Sequence, residues 1–107
     1  MDTFVHLFHI LFVSGLFFYV AIARTKMPLF MYPFLLTLGV IIIVYHAYKS
    51  LAKKDPWVNY VHILLVGPLL IYIGALKIKT PRKMFELLLM MAFASLGYHS
   101  YYMFFDT

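Results

Sequence analysis

An all-α membrane protein, with four transmembrane helices in an up-down-up-down bundle of two tandem helical-hairpin repeats, is predicted by three observations. The chain is 64% apolar and only 12% charged over 107 residues, whereas a soluble domain carries about 25% charged residues. A chain this short cannot bury so much apolar surface in a core of its own, so its solvent is lipid. The apolar residues fall into four runs, about 3–23, 29–48, 57–76 and 84–105, each close to the roughly 20 residues that span a hydrocarbon core. Finally, residues 9–50 fall on 62–103 at one offset of 53 positions without a gap. A period of this size means one supersecondary unit made twice.

The matched residues are informative because many are not apolar. His9-Ile10-Leu11 meets His62-Ile63-Leu64, and Tyr45-His46-Ala47-Tyr48 meets Tyr98-His99-Ser100-Tyr101. Tyr19 meets Tyr72, Pro28 meets Pro81, and Met31 meets Met84. Residues 1–107 therefore form a single membrane domain, with repeat A over 3–50 and repeat B over 56–103. Only helices satisfy their backbone groups at membrane depth in a chain without barrel alternation.

The first run follows Met1-Asp2-Thr3, which lacks a basic leader, so it is expected to persist as a helix. Arg24-Thr25-Lys26-Met27-Pro28 ends it, and Lys77-Ile78-Lys79-Thr80-Pro81-Arg82-Lys83 does the same for the third run. Pro28 and Pro81 suit helix starts, where a missing N–H costs little. Lys49-Ser50-Leu51-Ala52-Lys53-Lys54-Asp55-Pro56 joins the repeats. Pro68 lies inside the third run and is expected to kink it, freeing the Leu64 carbonyl. Its counterpart in the first run is Gly15. Parallel repeats that each cross twice are related by a pseudo-two-fold axis along the membrane normal. The two hairpin loops carry six Lys or Arg against three on the other side. That places the loops in the cytoplasm and both termini outside. Trp57, Tyr101, Tyr102 and Phe104 fit an aromatic belt.

Composition excludes several chemistries. With no cysteine, disulfides, zinc-thiolate sites, iron–sulfur clusters and thiol catalysis are absent. The basic-aromatic pattern of a nucleic-acid binder is missing, as are phosphate loops, nucleophile elbows and catalytic carboxylate pairs.

Four of the five histidines remain as the candidate site: His9, His46, His62 and His99. In an up-down bundle they share one depth near the termini. Intramembrane ionisable residues are costly and are usually functional. Gly39 lies seven residues before His46, and Ala92 seven before His99. Small residues on the histidine face admit a close neighbour or a flat ligand. Tyr45, Tyr48, Tyr98 and Tyr101 flank the layer, and Gly39 or Gly97 offers room. His6 lies one turn above His9, nearer the surface, and Asn59 is its counterpart.

Two neutral imidazoles on facing helices with apolar walls suit a b-type haem, so electron transfer with a redox partner is the leading expectation. In helix count and histidine placement alone, the pattern resembles small four-helix membrane cytochromes b. That resemblance implies a haem-binding electron carrier. Two haems at one level would be crowded in one small bundle, so a single haem would use one histidine pair, or a homodimer would relieve the crowding; either is an electron carrier more than a stand-alone enzyme. The alternatives use the same residues. Imidazole titrates near neutral pH, which suits a proton or ion channel or carrier. Three or four imidazoles also suit a borderline transition metal such as zinc, copper or ferrous iron. Without any cofactor, each histidine would staple its hairpin by bonding a carbonyl or Tyr of the adjacent helix. Tyr19 and Tyr72 read as interfacial anchors, the methionines as core filler, and the loop cations as the ordinary orientation signal.

Overall fold

A computed structural model describes residues 3–51 and 56–105; the side chains of residues 56, 58 and 59 are outside that description. The expected linker residues Ala52–Asp55 and the side chain of Asn59 therefore lie outside the described residues. Every element found is helical. Helix α1 runs over Thr3–Lys26 and α2 over Met31–Leu51. Helix α3 begins with Pro56–Val61 and continues through His62–Lys79, and α4 is Arg82–Phe105. These match the four apolar runs, with ends shifted by no more than three residues.

Three helices, Thr3–Lys26, Met31–Leu51 and His62–Lys79, are long and apolar enough to cross a membrane. At 24 residues α4 is equally long, but Glu86, Ser95, His99, Ser100 and three tyrosines make it more polar. Large apolar side chains stand on the outside of every helix, among them Phe12, Ile22, Val44, Leu64 and Phe93. Helices apolar all round suit a lipid solvent.

The chain forms two compact units, one of residues 1–26 with 81–107 and one of residues 27–80. Each takes one helix from either half of the chain. In the first, α1 packs antiparallel on α4, as Ser14 bonding Ser95 and Phe18 meeting Phe93 edge-on require. Its core is Phe17, Val20, Ala21, Phe85, Leu88 and Ala92. In the second, α2 packs antiparallel on α3 around Tyr32, Leu35, Leu70 and Ile73.

Small residues set how closely the second pair approaches. A Cβ on Gly74 would stand 2.6 Å from the Tyr32 carbonyl oxygen and 2.7 Å from Leu36 Cβ. One on Gly39 would stand 2.7 Å from the Gly67 oxygen. Glycine lets the backbones touch, the usual driving geometry between helices in lipid. At the positions displaced by 53, the first unit carries Ala21, Ala92 and Ser14, each buried. The burial pattern of residues 9–51 recurs at that same offset with few changes.

Two departures from regular helix also recur. The turns His9–Val13 and His62–Val66 are π-helical. Their last bonds run from the Ser14 N–H to the His9 carbonyl and from the Gly67 N–H to the His62 carbonyl. At Pro68 the expected disturbance thus takes the form of a π turn just before Gly67, and α1 makes the same turn at Gly15 without proline. The extra residue matters for phase. In a regular helix the fifth residue on is rotated by about 140° from the first. The π turn instead returns Ser14 to the face of His9, and Gly67 to that of His62.

The second departure ends α1 and α3. Arg24 has φ 53 and ψ −130, and Lys77 has φ 54 and ψ −127. Positive φ at a residue with a Cβ costs on the order of 1–3 kcal/mol, whereas a cation at a helix C-terminus returns only about 0.3–1 kcal/mol. Pro28 and Pro81 stand just outside the next helices. Each carbonyl accepts the N–H three residues on, from Met31 and Met84, at 3.0 Å.

These features give two checks. Gly74→Ala should destabilise the protein by about 1–3 kcal/mol in denaturation from bilayers or mixed micelles, while Gly97→Ala, with nothing near its Cβ position, should change stability little. Equal effects would refute the close-packing account. Deleting exposed Leu11 should regularise the π turn and leave the fold intact, whereas deleting exposed Tyr19 should rotate the core face and collapse thermal stability. Comparable losses would contradict the role given to the turn.

Candidate functional site

The π turns decide where the histidines point. In α1 the face holding Ser14, Phe17 and Ala21 is the buried one. A regular helix would place His9 off that face, but the π turn brings it back, together with His6 three residues earlier. In α4, His99 lies seven residues after Ala92 and so shares its face. The structure thus gathers three imidazoles at one end of the first unit.

The His9 and His99 rings stack with centroids 4.3 Å apart and planes 25° apart. His9 donates its Nδ1–H to the Val5 carbonyl at 2.8 Å, which in the neutral ring makes Nε2 the lone-pair nitrogen. The Nδ1 atoms of His6 and His99 are 2.9 Å apart. One must carry a hydrogen and the other a lone pair. His6 and His99 are both only 3% exposed, so this bond is made away from the surface. Tyr102 stacks on His6 at 6.3 Å, and Tyr98 meets His99 edge-on at 5.0 Å.

The second unit holds the counterpart pair. His46 and His62 stack at 4.0 Å with planes 19° apart, and Tyr45 meets His46 edge-on at 5.2 Å. Since His9 corresponds to His62 and His99 to His46, the two pairs are the same contact at matching positions. Here Gly39 and Gly67 bring the helices together just inside the rings.

All four predicted histidines therefore sit in ring pairs. Of the flanking residues, Tyr45 and Tyr98 touch a histidine ring. Tyr48 is exposed, and Tyr101 is exposed and packs on Tyr102 and Phe105. Gly39 is buried at the helix contact, while Gly97 is exposed with open space at its Cβ position. His9 bonds the Val5 carbonyl of its own helix.

Sequence reasoning left His6 outside the site, yet it is among the most buried polar residues. Its spacing of three from His9 was the available signal, since residues three apart share a helix face. Tyr102 was missed for a related reason, having been read as an interfacial anchor. The Ser14–Ser95 bond of 3.0 Å lies just inside the imidazoles, and beyond it the buried residues of this unit are apolar.

The geometry can be tested against the expected ligands. Bis-imidazole haem requires a nitrogen of each ring to point at an iron from opposite faces of a macrocycle lying between them. Rings stacked face to face at 4.0 and 4.3 Å are already at van der Waals separation, so neither pair fits a haem between its members. Among the described residues, no group of three or more His, Asp or Glu is arranged to hold a metal ion. Proton exchange does suit the arrangement, because the His6–His99 bond depends on protonation state.

No protein-family model, curated protein or solved structure matches this chain.

If His6 is integral to the first cluster, His6→Asn should destabilise the protein by about 1–3 kcal/mol, since it leaves the buried His99 Nδ1 without that partner. His6→Phe should cost less than His6→Asn if burial alone matters. Chemical denaturation of the three proteins in one detergent distinguishes the two.

Proposed function

We propose that this chain is an integral membrane protein whose paired imidazoles bind and release protons, so that pH controls helix contacts at one membrane face. The observation that carries this reading is the buried Nδ1–Nδ1 bond of His6 and His99, beside the stacked ring of His9. Imidazole is the side chain whose ordinary titration falls between pH 5 and 8. One proton between His6 and His99 completes their hydrogen bond. When both rings are imidazolium, each Nδ1 carries a hydrogen, no acceptor is left between them, and two positive charges stand side by side. Like charges about 4 Å apart repel by about 4 kcal/mol at an effective dielectric of about 20, a large fraction of the stability of a small protein. The groups facing this cluster are His6 and His9 from α1, and Tyr98, His99 and Tyr102 from α4. The His46–His62 stack, flanked by Tyr45, would respond in the same sense.

All four helices cross the bilayer in this reading, α4 included. Its length and its antiparallel packing along α1 support that. The recurrence of burial, π turns, ring pairs and strained turns at one offset supports two tandem repeats in an up-down-up-down order. The excess of Lys and Arg in the hairpin loops supports cytoplasmic loops and external termini. The histidine ends would then face outward.

Beyond Ser14 and Ser95 the buried residues of the first unit are apolar, and beyond Gly39 and Gly67 those of the second are apolar apart from Tyr32 and Thr80, which favours a terminal proton-binding switch over a continuous proton wire through either unit. The stacked rings likewise favour proton binding over haem-based electron transfer, and the lipid bilayer is the only partner this reading requires.

Histidine ring ¹⁵N spectra in nanodiscs between pH 5 and 8 test the proposal. His6 and His99 should titrate as a coupled pair, and His6→Asn should change the curve of His99 but not those of His46 and His62. Five independent curves at the ordinary imidazole value of about 6.5 would refute it. Protein expressed with ample haem should also purify colourless. A low-spin haem spectrum lost in His9→Ala, His46→Ala, His62→Ala or His99→Ala would replace this reading with the haem one.

A further inference from the structure

Arg24 and Lys77 stand where a glycine would fit best. Both end a membrane-crossing helix, both have φ near +53 with ψ near −130, and both side chains are exposed. A second exposed cation follows two residues later in the same short 3₁₀ turn, Lys26 in Arg24–Lys26 and Lys79 in Lys77–Lys79. In the second unit the turn is pinned by Thr80. Its hydroxyl lies 2.7 Å from the Lys77 carbonyl and 3.3 Å from that of Ile73, and the side chain is buried.

Two general explanations account for a cation in these loops but not at these positions. Orientation of the chain needs positive charge anywhere in the loop. Complementing the helix dipole is open equally to Lys26, Lys79 or a cation at position 25 or 78, without backbone strain. Yet a long basic side chain occupies the strained residue in both units. A ligand that needs the cation at this point on the helix end accounts for both.

We propose that each turn is a headgroup site for an anionic phospholipid, with Arg24 and Lys26 holding the phosphate in one unit and Lys77 and Lys79 in the other. The turns sit where an apolar helix ends, the depth of the headgroup layer. Guanidinium and ammonium groups make charge-assisted hydrogen bonds to phosphate oxygens. Each basic residue near an anionic surface raises affinity by about fivefold. The site is independent of the histidine reading and rests only on helices that cross a bilayer.

The test compares full-length protein with a variant of unchanged net charge, R24G/T25R/K77G/I78K, which moves each cation one residue along. Phosphatidylglycerol and phosphatidylcholine binding are measured by native mass spectrometry from detergent, with melting temperature as a fold check. The expected result is about a tenfold loss of phosphatidylglycerol preference with melting temperature kept or raised. Unchanged preference would overturn the proposal, because charge alone would then suffice. If the variant melts early, R24A/K77A is compared with R82A/K83A, which removes equal charge from outside the strained positions; the first should lose the preference more, and equal behaviour of the two would overturn the site. Soluble glycerol phosphate should bind far more weakly than the lipid. Equal binding would make this a free-phosphate site and overturn the lipid assignment.

Discussion

The cost of putting imidazoles on helices apolar enough to cross a membrane is the constraint from which the other features follow. An imidazole inside the membrane needs a polar partner, because hydrocarbon offers none. The solution found here is mutual: histidine packs against histidine across an antiparallel helix pair. For the rings to meet, each odd-numbered helix must turn its histidine toward its neighbour while keeping its core residues in register. One extra residue in a π turn does this in α1 and again in α3. Glycines in one unit, and alanine and serine in the other, then let the backbones come close enough for ring contact. π turns are often found at functional sites, and here their role is to aim a side chain.

Much of the architecture could be read from the residues. Four apolar runs of membrane length and a gapless offset of 53 positions predicted four helices and the matching places of His9 with His62 and His46 with His99. The small residues beneath His46 and His99 correctly marked a closely packed face. What could not be read was which helices pair. The compact units join α1 with α4 and α2 with α3. Apolar residues surround each helix, so periodicity could not identify the contact face, and the choice turned on a few glycines and serines.

The histidine site was legible in part for the same reason. Shared depth follows from helix length, whereas ring orientation depends on a π turn that leaves no clear mark in α1, where Gly15 replaces Pro68. His6 was set aside because its counterpart is Asn59, yet symmetry between the units is incomplete at this point. The third imidazole adds the His6–His99 bond to the first unit's ring stack. The strained turns at Arg24 and Lys77 were equally hidden. A basic loop residue is ordinary in sequence and becomes informative only with its backbone angle.

The proposed proton control requires ring pairs that form when the imidazoles are neutral and separate when both are protonated. Solid-state NMR of protein in bilayers, with ¹³C,¹⁵N-labelled histidine, tests this most directly. Ring-to-ring cross-peaks between His9 and His99 and between His46 and His62 should be strong near pH 8 and fade near pH 5. Absent cross-peaks near pH 8 would contradict the pairing, and cross-peaks unchanged across that range would contradict its control by protons.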